Sequence, residues 1–224
     1  MSTSYNLKML RVNLTDRSIK LEELDESLAK KFIGGRGLGT KMLYDEGVAT
    51  VDPLSPENKL IFINGPLTGV NVPTGGRYMV VTKSPLNNMI ASSNSGGVWG
   101  ARLKYAGYDA LIVEGKADKP VYISIQDEKV EILDADFLWG KESLHVEEVL
   151  KEKYGKNASV LNIGPGGEKL ALMAAIMNEA DRAAGRGGVG AVMGSKLLKA
   201  VVCSSTRTVI EPKNSEALRE AVTH

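Results

Sequence analysis

The 224-residue sequence holds one cysteine and two histidines. One thiol cannot close an intrachain disulfide. So few soft ligands exclude a zinc site of the usual kind and an iron–sulfur cluster held by this chain alone. Cys203, in the apolar run AVVCSS, reads as a small core residue. Charge of one sign is missing as well: 28 Lys plus Arg stand against 27 Asp plus Glu, a formal net charge of +1. A nucleic-acid footprint needs a clear basic excess, so that class of partner is set aside. No run of about 18 apolar residues occurs, so no membrane-spanning helix is expected. The opening MSTSYNLKML has no apolar h-region, which makes the cytoplasm the default location. The loop G-x-x-x-x-G-K-[ST] is absent, and so is the G-x-S-x-G elbow of serine hydrolases. His145 sits on an amphipathic stretch and reads as a surface contact. Trp99 and Trp139 read as core rather than as stacking platforms.

Glycine is what the chain has in excess, 24 residues against a usual share of ~7%. The glycines gather in GGRGLG (34–39), GPLTGVNVPTGGR (65–77), SGGVWG (95–100) and GPGG…GRGGVGAVMG (164–194). Tight turns are the plain reading. The sharper one is close approach of backbone to a ligand, since no Cβ stands in the way.

Periodicity predicts a hairpin over 9–14 and 18–24, then a short helix over 25–33 capped by Asp25, and a second helix over 38–47. Strands are expected at 58–65, 76–85, 110–115, 120–127, 129–135, 158–165, 170–178 and 199–205. Helices are expected at 97–105, at 143–155 with Ser143 as cap, at 187–198, and from Ser215 to the end. That last helix breaks off early, which suggests a chain cut inside a larger protein.

The sequence also echoes itself. LIFINGP (60–66) resembles SVLNIGP (159–165), and NSGGVWGARLKYAGYDALIVEG (94–115) resembles GRGGVGAVMGSKLLKAVVCSS (185–205). The offsets are 99 and 91 residues. Two copies suit one domain folded as related halves about a pseudo-two-fold axis. Each Gly-Gly-Val opens a helix whose N–H groups and dipole favour an anion. Arg77, Arg182 and Arg186 lie just upstream, and arginine binds phosphate bidentately. GRGGVG (185–190) matches G-x-G-x-x-G, but no strand runs into its first glycine and the next strand ends in CSS rather than an acid. A Rossmann site is therefore set aside. Glu179 and Asp181 read as surface or capping carboxylates.

Taken together, PENKLIFINGPLTG, PTGGRYMVVTKSP, ASSNSGG, KYAGYDALIVEGKADKPVYI, IGPGGE and DRAAGRGGVGAVMGSKLLKAV resemble the N-terminal domain of the tungsten-containing aldehyde ferredoxin oxidoreductase family, from about Leu10 to Val202. The resemblance implies an α+β domain of two related mixed β-sheets with helices around them, serving as a platform for a bis-pyranopterin tungsten or molybdenum cofactor. It implies that Arg77 contacts one pterin and lies near a [4Fe–4S] cluster, that Asn94 and Gly96 meet one pterin phosphate region, and that Arg182, Ala183 and Gly185 meet the other. It implies a Mg²⁺ ion between the phosphates, bound by the backbone carbonyls of Asn94 and Ala183. The expected division is a platform over 1–210, with repeats at roughly 55–135 and 155–210, and the start of a truncated helical domain at 211–224. The implied partners are the remaining domains of the enzyme, ferredoxin as electron acceptor and an aldehyde oxidised to a carboxylate. The cluster's cysteines and the groups beside the metal belong to those later domains, so no catalytic residue is expected here. Oligomeric state stays open, a homo-oligomer included. The alternative is a stand-alone scaffold that keeps the fold without the catalysis.

Overall fold

Apolar residues alternating with period two decide which way each strand faces. A computed structural model describes residues 4–223, leaving the first three residues and His224 of the expected 1–210 and 211–224 segments outside the described part. The opening alternation forms an antiparallel hairpin, β1 (Lys8–Asn13) and β2 (Ser18–Glu23). With β3 (Leu60–Asn64), β4 (Tyr78–Lys83), β5 (Ile90–Ser95) and β6 (Ala110–Glu114) it makes a six-stranded sheet of order β2-β1-β6-β3-β4-β5. A second sheet uses β7 (Val121–Gln126), β8 (Lys129–Asp134), β9 (Ser159–Asn162), β10 (Ile176–Asn178), β11 (Arg182–Ala184) and β12 (Leu198–Ser204). Its order, β11-β10-β9-β12-β7-β8, is the first order shifted by six strands and read backwards. In each sheet one pair is parallel, β1 with β6 and β7 with β12, and the other pairs are antiparallel.

Register carries the correspondence down to single residues. Ile63 pairs with Ala110, and Asn162 pairs with Ala200, in the same place of the two sheets. The repeating units are thus residues 8–114 and 121–204. This differs from the expected 55–135 and 155–210: the opening hairpin belongs to the first unit, and 121–134 supplies the matching hairpin of the second. The sequence echo is too weak over the hairpins to include them.

The helices occupy three layers. α1 (Glu26–Phe32) and α2 (Gly35–Asp45) cover the outer face of the first sheet, where Ala29, Leu38 and Leu43 meet Met9, Ile61, Ile63 and Ile112. α3 (Trp99–Tyr105) lies between the sheets. α4 (Ser143–Tyr154) covers the outer face of the second sheet with Val146 and Leu150 against Val160, Ala200 and Val202. α5 (Pro165–Glu168) is a single turn, α6 (Val189–Ser195) joins α3 between the sheets, and α7 (Ser215–Thr223) closes the chain. One set of alternate residues from each strand, such as Leu60, Phe62, Leu111 and Val201, fills the central layer around Trp99 and Met193.

The two halves are fastened across that layer. Trp99 Nε1 donates to the Val201 carbonyl (3.2 Å), and its ring sits 5.5 Å from Phe62 and 5.1 Å from Tyr78. Lys196, fully buried, donates to the carbonyls of Pro56 (3.2 Å), Asn58 (2.6 Å) and Gly115 (3.1 Å).

Several local expectations need correction. α2 begins at Gly35, inside the GGRGLG run, rather than at 38. Only 176–178 of the apolar run 170–178 is a strand, and the strands β5 and β11 stand where SSNS and RAA gave no apolar alternation. Ser143 is the first helical residue of α4, not its cap. Before α7 the capping side chain is Asn214, which accepts from the Ala217 amide (2.9 Å). Trp99 is core, but Trp139 is only half-buried. His145 is exposed, and Cys203 is buried, with burial pushing its thiol pKa up.

Candidate functional site

The edge strands β5 and β11 belong to different sheets, yet they lie side by side. The Arg186 amide donates to Ser93 Oγ (3.0 Å), which ties the end of β11 to β5. This contact brings the candidate residues from the two halves into one neighbourhood. Asn94 stands on β5 opposite Met79, which stands opposite Ile63. Ala183 stands on β11 opposite Met177, which stands opposite Asn162. Since Ile63 and Asn162 correspond, Asn94 and Ala183 occupy equivalent positions of the duplicated fold. Nothing in the sequence around them, SSNSGG and DRAAGR, aligns them.

Arg77 precedes β4, and its Nη1 donates to Asn94 Oδ1. Both residues are exposed. Arg182 is exposed too; its Nε faces Asp181 Oδ1 at 3.4 Å, with side chains 57% and 78% exposed. An ion pair that open contributes ~0–1 kcal/mol, so the guanidinium can exchange Asp181 for a better anion at little cost. Around Gly96 and Gly185 no atom lies within 4 Å of where a Cβ would stand. Each of these ledges therefore ends in open space with an arginine alongside, and a group bearing phosphates fits the donors and the room.

The helix openings behave differently from the sequence expectation. At α3, the Val98 amide donates to both oxygens of Glu179 (2.9 and 2.8 Å), so a carboxylate from the other half already fills that opening. A Cβ on Gly97 would collide with that same carboxylate. At α6, the Gly190 amide donates to the Ala174 carbonyl (2.9 Å). The neighbouring glycines are spent on packing: a Cβ at Gly187 would stand 2.6 Å from Ala91 Cβ, and one at Gly188 would stand 2.5 Å from the Leu172 carbonyl. Of the glycines in GRGGVG, Gly185 is the one that faces open space.

Between the ledges sit Asn178, expected only as the end of a strand, and Glu179, expected as a surface or capping carboxylate and found capping α3 from the other half. Asn178 is fully buried and bonded to Tyr78, Ser95 and Gly96, and Glu179 reaches α3. Their only local signal is a polar pair at the end of the apolar run AAIM. The mixed sheets also lack the parallel arrangement of a dinucleotide fold.

Residues 9–205 match the family described as "Aldehyde ferredoxin oxidoreductase, N-terminal domain". The chain is 58% identical over 203 residues to the tungsten-containing aldehyde ferredoxin oxidoreductase of Pyrococcus furiosus, covering 90% of this chain and 34% of that protein. It is 42% identical to an aliphatic sulfonate oxidoreductase, WOR-like subunit, of the same organism, covering 96% of this chain and 37% of that one. The active-site complex BamBC of benzoyl coenzyme A reductase, solved with 1,5-dienoyl-CoA, superposes with a TM-score of 0.90 at 40% identity, covering 93% of this chain and 32% of that one. The chain thus spans about a third of the length of these relatives. It belongs to the aldehyde ferredoxin oxidoreductase family, as the N-terminal domain of that family.

Proposed function

We propose that this domain is the cofactor platform of an aldehyde:ferredoxin oxidoreductase, which oxidises aldehydes to carboxylates with a bis-pyranopterin tungsten or molybdenum centre. Arg77, Asn94 and Gly96 receive the phosphate region of one pterin, and Arg182, Ala183 and Gly185 receive the other. The backbone carbonyls of Asn94 and Ala183 offer hard oxygen ligands to a Mg²⁺ ion shared by the two phosphates. When bound, the metal–pterin centre supplies the two-electron chemistry, and a [4Fe–4S] cluster held elsewhere relays electrons to ferredoxin. The residues of this chain bind and orient: arginines supply counter-charge, glycines leave room, and paired carbonyls fix the spacing. The observation that supports the reading best is the equivalence of Asn94 and Ala183 in the duplicated fold, since a ligand with two like halves calls for two like ledges. Relatives named for aldehydes and for sulfonates share this domain, so substrate choice is assigned to the remaining domains.

The test uses the full-length enzyme. Arg182→Ala removes a charge-assisted bond to phosphate and is expected to weaken cofactor retention by ~1.5–3 kcal/mol. Arg182→Lys recovers part of it, because an ammonium lacks the planar fork. Pterin and metal are measured per protein after purification. Full occupancy in Arg182→Ala overturns the assignment of that residue. Wild-type enzyme free of tungsten, molybdenum and pterin supports the scaffold alternative instead.

A further inference from the structure

The corner between β10 and β11 is held in a demanding shape. Glu179 and Ala180 both take left-handed backbone, with φ of 49° and 61°. Residues other than glycine adopt it only where the surroundings impose it. Here the surroundings come from both halves. Asn178 Oδ1 accepts from Tyr78 Oη (3.1 Å) and Ser95 Oγ (2.8 Å), and its Nδ2 donates to the Gly96 carbonyl (3.0 Å). The Glu179 carboxylate accepts from the Val98 amide and from Ser159 Oγ (2.7 Å). The Ala180 amide donates to Glu147 Oε2 (2.8 Å), and Glu147 Oε1 is held by Lys151 (2.5 Å). The strand leaving this corner carries Arg182 and Ala183, and the strand it grips carries Asn94 and leads to Gly96.

We propose that Asn178 and Glu179 are positioning residues: they lock the two ledges at one spacing, so that a single ligand with two phosphate groups can engage both. The choice of ligand rests on the cofactor reading above; the coupling of the ledges does not. The same arrangement gives the α3 opening a partner within the protein, so it leaves the ledges as the place where phosphate is received.

Hydrogen exchange on the 224-residue chain reads the coupling directly. Glu179→Ala is expected to speed exchange about ten- to a hundredfold both at 96–100 and at 180–185. Glu179→Gln restores most of the protection, because its amide oxygen still accepts from Val98. Ser159→Ala, which removes one donor to the same carboxylate, gives the same pattern at lower amplitude and serves if the alanine variant fails to fold. A rise confined to 96–100, or one spread evenly into β6 and β12, overturns the positioning role. In the full-length enzyme, Glu179→Ala should lower pterin retention at least ~tenfold, with Glu179→Gln near wild type. If wild-type enzyme carries no pterin while the exchange coupling holds, the cofactor reading fails and the positioning stands. If pterin is present and the coupling is absent, the positioning alone fails.

Discussion

The turns that follow β3 and β9, Gly65–Pro66 and Gly164–Pro165, are the same turn in the two halves, and each is held by a buried lysine. The lysines are not counterparts. In the first half Lys104, on α3, donates to the carbonyls of Gly65 (2.8 Å) and Pro66 (2.9 Å). In the second half Lys199, on β12, donates to the carbonyls of Ile163 (2.7 Å) and Lys141 (2.9 Å) and pairs with Glu168. Counted from the helix starts, Trp99 of α3 and Val189 of α6, the position that matches Lys104 is Gly194, where a Cβ would strike the Gly167 carbonyl of α5. The strand position that matches Lys199 is Asp109. Where α5 packs against α6 the helix has no room for a side chain at that position, and the donor comes from the neighbouring strand instead. The two halves meet the same physical requirement, a donor for buried carbonyls, with residues at different places in the fold.

The largest test of that contrast is to remove each lysine. Lys199→Met leaves the Glu168 carboxylate, 6% exposed, without its cation, and is expected to cost ~3–5 kcal/mol in urea unfolding. Lys104→Met costs less, ~1–3 kcal/mol, since its nearest carboxylate, Asp109, is 3.9 Å away. The reverse order would break the comparison.

Gly194→Ala comes next. It forces α5 from α6 and should cost ~1–3 kcal/mol by overpacking. Gly185→Ala, in open space, should change stability by less than ~0.5 kcal/mol. Equal losses at the two glycines would count against reading one as packing and the other as room for a ligand.

A smaller effect concerns pH. Burial lowers the pKa of Lys104 to about 8 and that of Lys196 to about 7, from an ordinary 10.5. Between those values and 10.5 the unfolded chain binds more protons than the native one, so their contribution to stability rises as pH rises. The stability of the wild type relative to Lys104→Met should therefore climb by ~1–2 kcal/mol between pH 8 and pH 10. A flat difference in urea midpoints across that range would show that Lys104 titrates alike in the folded and unfolded chain.

The smallest expected change sharpens the other equivalence. Arg77→Ala and Arg182→Ala should each alter the stability of this chain by less than ~1 kcal/mol, and by similar amounts. A large loss at either arginine in thermal unfolding would mark it as structural and separate the two ledges.

Much of this molecule was legible from its residues. Strands such as LIFIN and ALIVE announce themselves, because both faces are buried and the run stays apolar. Asp25 caps α1 as its residue type predicts, accepting from the Ser27 amide (2.7 Å). The strands β5 and β11 were not legible: one reads IASSNS and the other RAA, since they sit at sheet edges where polar residues are tolerated. The candidate residues were found from motif resemblance, and their pairing across the halves emerges only from register. The glycine runs misled, because a glycine against a carbonyl and a glycine facing solvent look alike in sequence. Glu179 was unreadable for a similar reason: the amide it accepts from lies 81 residues earlier.

The interleaved central layer also has a consequence in time. Trp99 meets the Val201 carbonyl 102 residues later, Tyr78 meets Asn178 after 100, and the carbonyl of Asn58 waits 138 residues for Lys196. On a ribosome adding ~5–20 residues per second, the first sheet stands with its inner face covered only by α3 for on the order of ten seconds before the second half is made. Each half leaves part of its inner face uncovered until the other supplies the opposite wall. Folding of this platform is therefore expected to be a late, single event dominated by distant contacts. During synthesis the nascent chain offers chaperones a long-lived apolar surface that the finished domain hides.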